Sequence, residues 1–276
     1  MTPGDIEFAF ACTAAEGWAG ETPAVFEAYL AHDPRGCFVA DFGTKRAGVC
    51  VATRYRRCGF IGELVVVKEF RGHGIGKTLF ETSLDYLRSS GMKTVYLDGD
   101  LEAVPFYERM GFRKITRSLR FVGSLRGAAG PGVRPARLAD TRRICEIDRE
   151  LFGDDRAFFI EHRLVAHPDL CFVSETAGEV SGFIMARPGV GVLSVGPWTA
   201  GRSDHEAVGL LETLASAPVA GRLRMGVLEM NSRALNLVRS MRVFKEETPS
   251  WRMVLGPDER LAFHEDLIAI GSAAKG

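Results

Sequence analysis

Val65-Val66-Val67-Lys68-Glu69-Phe70-Arg71-Gly72-His73-Gly74-Ile75-Gly76 is the stretch that decides how this chain folds. Three valines that suit a buried strand lead into a turn with three glycines, and a helical pattern starts at once. Glycine lets the backbone adopt left-handed conformations and approach a ligand closely. A helix beginning at such a turn presents unpaired N–H groups and the positive end of its dipole. Together these make a cradle for a pyrophosphate. Two other phosphate loops do not fit. Gly76-Lys77-Thr78 is present, but Arg71 stands where a Walker A loop needs its first glycine. The spacing Gly72-x-Gly74-x-Gly76 also misses the G-x-G-x-x-G register, and its strand is not the first of the chain.

On either side of this stretch, apolar periodicity predicts a helix over 22–31 and a hairpin of strands over 36–41 and 46–55. The strand entering the loop covers 60–68. An amphipathic helix follows over 74–90, with Leu79, Leu84 and Leu87 among its apolar positions. A strand over 93–97, a short helix over 102–110 stopped by Gly111, and a strand over 113–122 complete this half. Residues 123–132 are small and glycine-rich with no apolar period, and read as a linker. Beyond it the same order recurs: a helix from Asp140, a hairpin over 171–187, a strand over 190–195, a helix from Asp204, a strand over 223–229, a helix from Asn231 and a strand over 250–255. The tail 257–270 reads as helical. A faint internal repeat supports the parallel. Cys37-Phe38-Val39 and Gly48 recur at one shared offset as Cys171-Phe172-Val173 and Gly182; Asp100 and Met110 correspond to Asn231 and Met241 at an offset three residues shorter.

The chain has 276 residues, nearly twice the usual size of one domain, which agrees with two halves. Lys+Arg and Asp+Glu both number 35, so there is no charge footprint of a bulk nucleic-acid binder, although a local pocket for a small anion stays open. No apolar run approaches the roughly 20 residues of a membrane helix. The first ten residues lack the basic and apolar regions of a secretory signal. Six cysteines (12, 37, 50, 58, 145, 171) show no C-x-x-C pair and no metal-ligand spacing, as expected of buried reduced thiols in a cytoplasmic protein.

The Arg-x-x-Gly-x-Gly array of 71–76 after a valine-rich strand resembles the acetyl-CoA loop of the GNAT superfamily of N-acetyltransferases. Phe106-Tyr107-Glu108-Arg109-Met110-Gly111-Phe112 resembles that superfamily's Phe-Tyr-x-x-x-Gly-Phe segment. Glu16-Gly17-Trp18 and Leu97-Asp98-Gly99, with Gly196-Pro197-Trp198 and the run 231–241, are similar to a tandem subgroup in which a standard half precedes a degenerate one. The resemblance implies an α/β fold, layered as α+β: two tandem GNAT-like units, each a mixed, mostly antiparallel twisted sheet flanked by helices. Residues 1–122 would form the catalytic unit, 123–132 the linker and 133–276 the degenerate unit that walls the acceptor pocket.

The same resemblance implies an acetyl-CoA-dependent transfer to the primary amine of a small molecule by direct attack, without a metal. The other reading is a non-catalytic acyl-CoA-binding or sensor protein. Pantetheine would pair along Val65, Val66 and Val67, and the pyrophosphate would meet the backbone of Gly72, His73, Gly74, Ile75, Gly76 and Lys77, with Arg71 adding charge. The His73 side chain carries no chemistry. Tyr107 is the general acid toward the leaving sulfur. The base is open between Glu63, Asp98 and water. Strand alternation sets Glu63 with Val65 and Val67, and a bulge decides which set faces the acceptor. Glu16, Trp18 and Trp198 are the acceptor-pocket candidates. Structural alternatives stand beside these roles: a core position for Tyr107 and for Trp18 or Trp198, capping by Glu16 or Asp98, and a surface pair of Arg71 with Glu69 or Glu81. The second half lacks the Arg-x-x-Gly-x-Gly array and has Val238 where the first has Tyr107; it is expected to bind no acetyl-CoA. No heptad or edge-strand signal is readable, so monomer and homodimer both stay open, and the charge pattern does not select the acceptor.

Overall fold

The computed structural model describes residues 1–219, 221–258 and 260–276. The first half carries strands β1 (Cys37–Phe42), β2 (Lys45–Arg54), β3 (Cys58–Val66), β4 (Thr94–Asp100) and β5 (Arg113–Gly123). Its helices are α1 (Ile6–Ala15), α2 (Pro23–His32), α3 (Ile75–Ser89) and α4 (Val104–Arg109). The second half repeats the order with β6 (Val133–Pro135), α5 (Thr141–Phe152), α6 (Ala157–Ala166), β7 (Cys171–Thr176), β8 (Glu179–Pro188), β9 (Leu193–Thr199), α7 (Asp204–Ala215), β10 (Leu223–Leu228), α8 (Ser232–Ser240), β11 (Phe244–Leu255) and β12 (Leu267–Ala269). The repeat seen in the sequence holds in register. Cys37 lies opposite Val51 in one hairpin, and Cys171 lies opposite Met185 in the other.

The strands join into one sheet ordered β1-β2-β3-β4-β11-β5-β10-β9-β8-β7-β6, with β12 on β9. Only β3–β4 and β9–β10 pair in parallel among these strands. Strand β11 from the second half lies between β4 and β5 of the first, and β5 pairs with β10 of the second. Each half therefore gives its last long strand to the centre of the common sheet. Three apolar clusters follow. One packs α3 and α4 on the first half, and another packs α7 and α8 on the second. The third spans the seam and includes Tyr29, Phe60, Phe152, Phe159 and Met185.

Several expectations are corrected. Helices α1 and α6 were not legible: both are apolar on several sides, which blurs the helical period. The tail 257–270 is not a helix. Arg260 and Ala262 have positive φ, which no α-helix accommodates, and the apolar residues Leu261, Leu267, Ile268 and Ile270 are buried by a turn and the short β12; Glu259 lies outside the described residues. The segment 123–132 is docked rather than loose. Ala128 and Gly130 donate to Glu212 and Thr213 of α7, and a Cβ on Gly130 would lie 2.6 Å from the Gly209 carbonyl oxygen. The glycines there permit contact between backbones. All six cysteines are free and buried.

Across the β4–β11 junction, Arg252 grips Asp98 through Nε at 2.5 Å and Nη2 at 3.2 Å, with both side chains fully enclosed. Removing one partner of such a pair strands a buried charge. Arg252→Leu is expected to lower unfolding free energy by about 3–5 kcal/mol in urea denaturation. The double variant Asp98→Leu/Arg252→Leu should lose less than that single change; an equal or larger loss would contradict this account.

Candidate active site

The site begins with a register fault. Val49 of β2 faces Val65 and Val51 faces Gly62, so Glu63 and Leu64 stand against Cys50 alone. This is a β-bulge, and Glu63 takes φ 54° within it. Bulging bends β3 away from β4. Their pairing runs only from Cys58↔Thr94 to Phe60↔Tyr96, after which the strands diverge. The β4-facing edge of β3 beyond Phe60 is left without a strand partner. A cleft of about 670 Å³ opens there. It is lined by Glu16, Trp18, Glu63, Val65, Val66, Arg71, Gly72, Gly74, Ile75, Gly76, Lys77, Asp98 and Tyr107 among others.

The loop at the mouth is shaped by backbone demand. Gly72 and Gly74 have φ of 84° and 81°, and nothing lies within 4 Å of a Cβ built on either. Glycine is needed there for conformation, and the space beside it is open. Gly74 is the N-cap of α3 and supplies no capping side chain. The first helical bond runs from Thr78 N–H to Gly74 O at 3.0 Å, so the N–H groups of Ile75, Gly76 and Lys77 have no partner within the helix. An open cradle of donors at the end of a 15-residue helix fits a pyrophosphate, and the unpaired edge of β3 fits an extended amide chain.

Two of the cofactor-loop candidates, Val67 and His73, fall outside this lining. The Val67 N–H bonds to Ala47 O at 2.9 Å, and His73 Nδ1 lies 3.1 Å from Arg71 O with its ring against Phe42. Arg71 pairs with neither Glu69 nor Glu81. Its Nε donates to Val66 O and its Nη2 to Glu16, tying the loop to the end of α1. Trp18 lines the cleft while also packing against the seam cluster. Trp198 does not line it: the side chain is fully enclosed and its Nε1–H donates to Ala207 O at 3.1 Å. Strand β9 turns that face toward α7, so the acceptor role expected for Trp198 is withdrawn.

The two carboxylate candidates separate. Asp98 is held by Arg252 in the bidentate pair described above, which commits its carboxylate to that partner. Glu63 is 2% exposed, accepts a bond from the Tyr29 hydroxyl at 3.1 Å through Oε1, and has no partner at Oε2. Burial, with Glu21 adding to it, pushes the Glu63 carboxyl up to about 8 against the opposing pull of Lys275, the Tyr29 bond and Arg187. Burial and Arg187 push the neighbouring Lys275 ammonium down to about 7, while Glu21 and Glu63 resist. Burial raises Glu21 too, but Arg187 and Lys275 outweigh it and hold that carboxyl below its ordinary value. Glu21 and Lys275 were missed in the sequence. They meet Glu63 only through the tertiary fold, and neither lies in a motif.

Tyr107 is placed by α4 under the cleft. Its ring packs on Phe80 and Phe106 at centroid distances of 5.4 and 5.3 Å. Gly99 makes room for it, since a Cβ there would lie 2.7 Å from Cε2 of the ring. Its hydroxyl has no hydrogen-bond partner among the described residues and its side chain lines the cleft. Burial, then Cys50 and Asp100, hold the phenol well above its ordinary value, so it is a neutral donor at physiological pH.

The equivalent turn of the second half is filled by the protein itself. Ser203 caps α7 by accepting from Glu206 N–H, and the Glu206 carboxylate accepts from Arg202 N–H at 2.8 Å and from Ser181. A Cβ on Gly201 would lie 2.6 Å from the Glu206 carboxyl carbon. An internal carboxylate thus occupies the position an external anion would need. Val238, opposite in the repeat to Tyr107, is buried in the core. Among the described residues no three His, Cys, Asp or Glu side chains converge as metal ligands, and no helix is long and apolar enough to cross a membrane.

Comparison with known proteins agrees with this geometry. Residues 5–112 match the family described as "Acetyltransferase (GNAT) family" and residues 144–269 match "Acetyltransferase (GNAT) domain". N-alpha-acetyltransferase 30 of Schizosaccharomyces pombe is 38% identical over 66 residues, 23% of this chain and 44% of the relative. Glucosamine 6-phosphate N-acetyltransferase of Trypanosoma brucei brucei is 33% identical over 93 residues, 32% of this chain and 60% of the relative. The chain thus spans about half the length of these curated relatives. A solved protein of Pyrococcus horikoshii superposes over 100% of this chain and 94% of its own with a TM-score of 0.85 at 24% identity. A GCN5-related N-acetyltransferase of Sphaerobacter thermophilus covers 93% and 95% with a TM-score of 0.64 at 17% identity, and a solved tandem GNAT protein from the clavulanic acid biosynthesis pathway gives the same TM-score. Between the open cradle on α3 and the self-filled turn on α7, two versions of one unit share a sheet, and the chain belongs to the GNAT acetyltransferases as a tandem member.

Proposed function

We propose that the protein transfers an acetyl group from acetyl-CoA to the primary amine of a small molecule by direct attack. The observation that carries this reading is the convergence of Glu63, Tyr107 and the α3 cradle on one cleft. Acetyl-CoA, when bound, supplies the acetyl group as an activated thioester. The residues that would hold it are the backbone of Gly72 to Lys77, Arg71, and the free edge of β3 at Val65 and Val66. Glu63 accepts a proton from the acceptor nitrogen, either directly or through a water. Tyr107 donates its hydroxyl proton toward the departing sulfur, where negative charge develops. Trp18 and Glu16 border the acceptor side. Ala273, Ala274 and Arg224 border that side from the second half, which supports the role of that half as a wall of the pocket.

A base must be deprotonated to act. With the Glu63 carboxyl raised to about 8, kcat/KM is expected to rise with pH and level off above that value. Glu63→Gln should remove this limb and lower kcat by about 10²-fold or more, with CoA affinity retained. A pH profile unchanged in that variant would sink the assignment. Tyr107→Phe should lower kcat by a similar order with thiol release as the readout; full activity would return Tyr107 to a packing role. Gly74→Asp should weaken CoA binding in calorimetry, because a carboxylate enters the cradle at a left-handed position that aspartate tolerates. Wild type should titrate with one CoA per chain, and a stoichiometry of two would refute the self-filled turn. Acetyl-CoA binding without turnover over a broad amine panel would favour the non-catalytic reading.

A further inference from the structure

Beyond Glu63 the cleft does not end. A cavity of about 80 Å³ shares Trp18, Glu63, Asp98 and Asp100 with the cleft and adds Glu21, Arg120 and Arg224. A second cavity of about 80 Å³ shares Glu21, Arg120, Arg224 and Ala273 with the first and adds Arg187, Ser118 and Ser194. The two cavities adjoin one another and the cleft along the seam between the halves, and residues 271–274 line them.

Their floor is a polar stripe at the centre of the sheet, where apolar side chains are the rule. Ser194 of β9 lies opposite Arg187 of β8 and Arg224 of β10, so the three side chains stand in one cross-strand row on one face. Arg120 of β5 lies opposite Gly226, two residues along β10 from Arg224, on the same face. Ser250 of β11 lies between Asp100 and Ser118. Buried polar atoms without a protein partner cluster here: Glu21 Oε2, Glu63 Oε2, Arg187 Nε and Ser250 Oγ. Such atoms are costly unless something polar meets them. Each arginine has one acidic neighbour: Asp100 for Arg120 at 2.8 Å, Glu21 for Arg187 at 3.3 Å and Glu247 for Arg224 at 3.5 Å. A guanidinium carries five N–H donors, so one carboxylate leaves several unused. Burial and the charge of Arg120 hold Arg224 below its ordinary value, which means that the two guanidinium groups repel one another across the cavity.

We propose that this row is an anion subsite, and that the acceptor is a small amine carrying a carboxylate or phosphate, its amine at Glu63 and its anion among Arg120, Arg187 and Arg224. The proposal rests on the transferase reading above. Strands β3 and β5 are three spacings apart in the sheet, on the order of 14 Å between backbones, and an arginine side chain spans part of that gap. Amine and anion therefore belong at opposite ends of the acceptor, several bonds apart, rather than on one carbon.

The test compares 6-aminohexanoate, 6-aminohexyl phosphate and hexylamine, with thiol release from acetyl-CoA as the rate. At least one anionic probe should exceed hexylamine in kcat/KM by about tenfold or more, the worth of a charge-assisted bond. Preference for carboxylate or for phosphate supports the subsite and identifies its anion. Arg224→Gln and, independently, Arg120→Gln should bring that ratio near one with CoA affinity retained as the check on folding. Arg142→Gln, at an exposed surface position, should keep it. Hexylamine accepted as well as both anionic probes, or a ratio that survives both substitutions, overturns the proposal. Should no amine be acetylated although CoA binds, the transferase reading fails. The subsite is then judged by calorimetry on the CoA-loaded protein: binding of either anionic probe that is lost in Arg224→Gln supports it, and no binding overturns it.

Discussion

Two residues standing against one, Glu63 and Leu64 against Cys50, set the terms for everything at the functional end of this molecule. The extra residue bends β3, the bend ends its pairing with β4 after Phe60, and the parted strands are the cleft. The same fault turns a carboxylate into the seam between the halves, where burial and a neighbouring carboxylate keep it protonated near neutrality. A straight β3 would pair with β4 along its length and leave neither an open edge nor a buried carboxylate beside it. The left-handed φ at a non-glycine residue is the local cost of that geometry.

The two turns after β3 and β9 form an internal control on what makes an anion cradle. Both lead from a strand into a helix, and both carry glycines. On α3 the N-cap is a glycine that brings no acceptor of its own, so the helix donors face outward. On α7 a serine cap and the Glu206 carboxylate satisfy the donors from within. Glycine content alone does not distinguish the turns; the identity of the capping residue and one carboxylate in the first turn do.

The local features were the legible ones. The strand–turn–helix at 65–76, the segment at Tyr107 and the repeated hairpins follow from short-range periodicity and from positions where only glycine serves. The bulge was foreseen as the deciding uncertainty but not located, because a one-residue slip leaves the apolar pattern on either side intact. The strand exchange was invisible, since β11 has the same composition wherever it pairs. Lys275, Glu21 and Arg224 reach the site from distant parts of the chain, and nothing in their neighbourhoods marks them. Trp198 was misjudged because a tryptophan near a strand end serves a pocket or a core equally well, and only the face of β9 on which it stands decides.

The exchange of β5 and β11 has a consequence for how the two halves persist together. Had each half kept its own last strand, a half without a cofactor loop could drift or be lost while the other went on folding. Here the half with the cradle has no continuous sheet of its own: β4 meets β5 only through a strand made more than a hundred residues later. The half that lacks the loop still completes the other's sheet and lines the inner end of its cleft. Lacking that loop therefore does not make it dispensable, and changes in either half are constrained by the geometry of both.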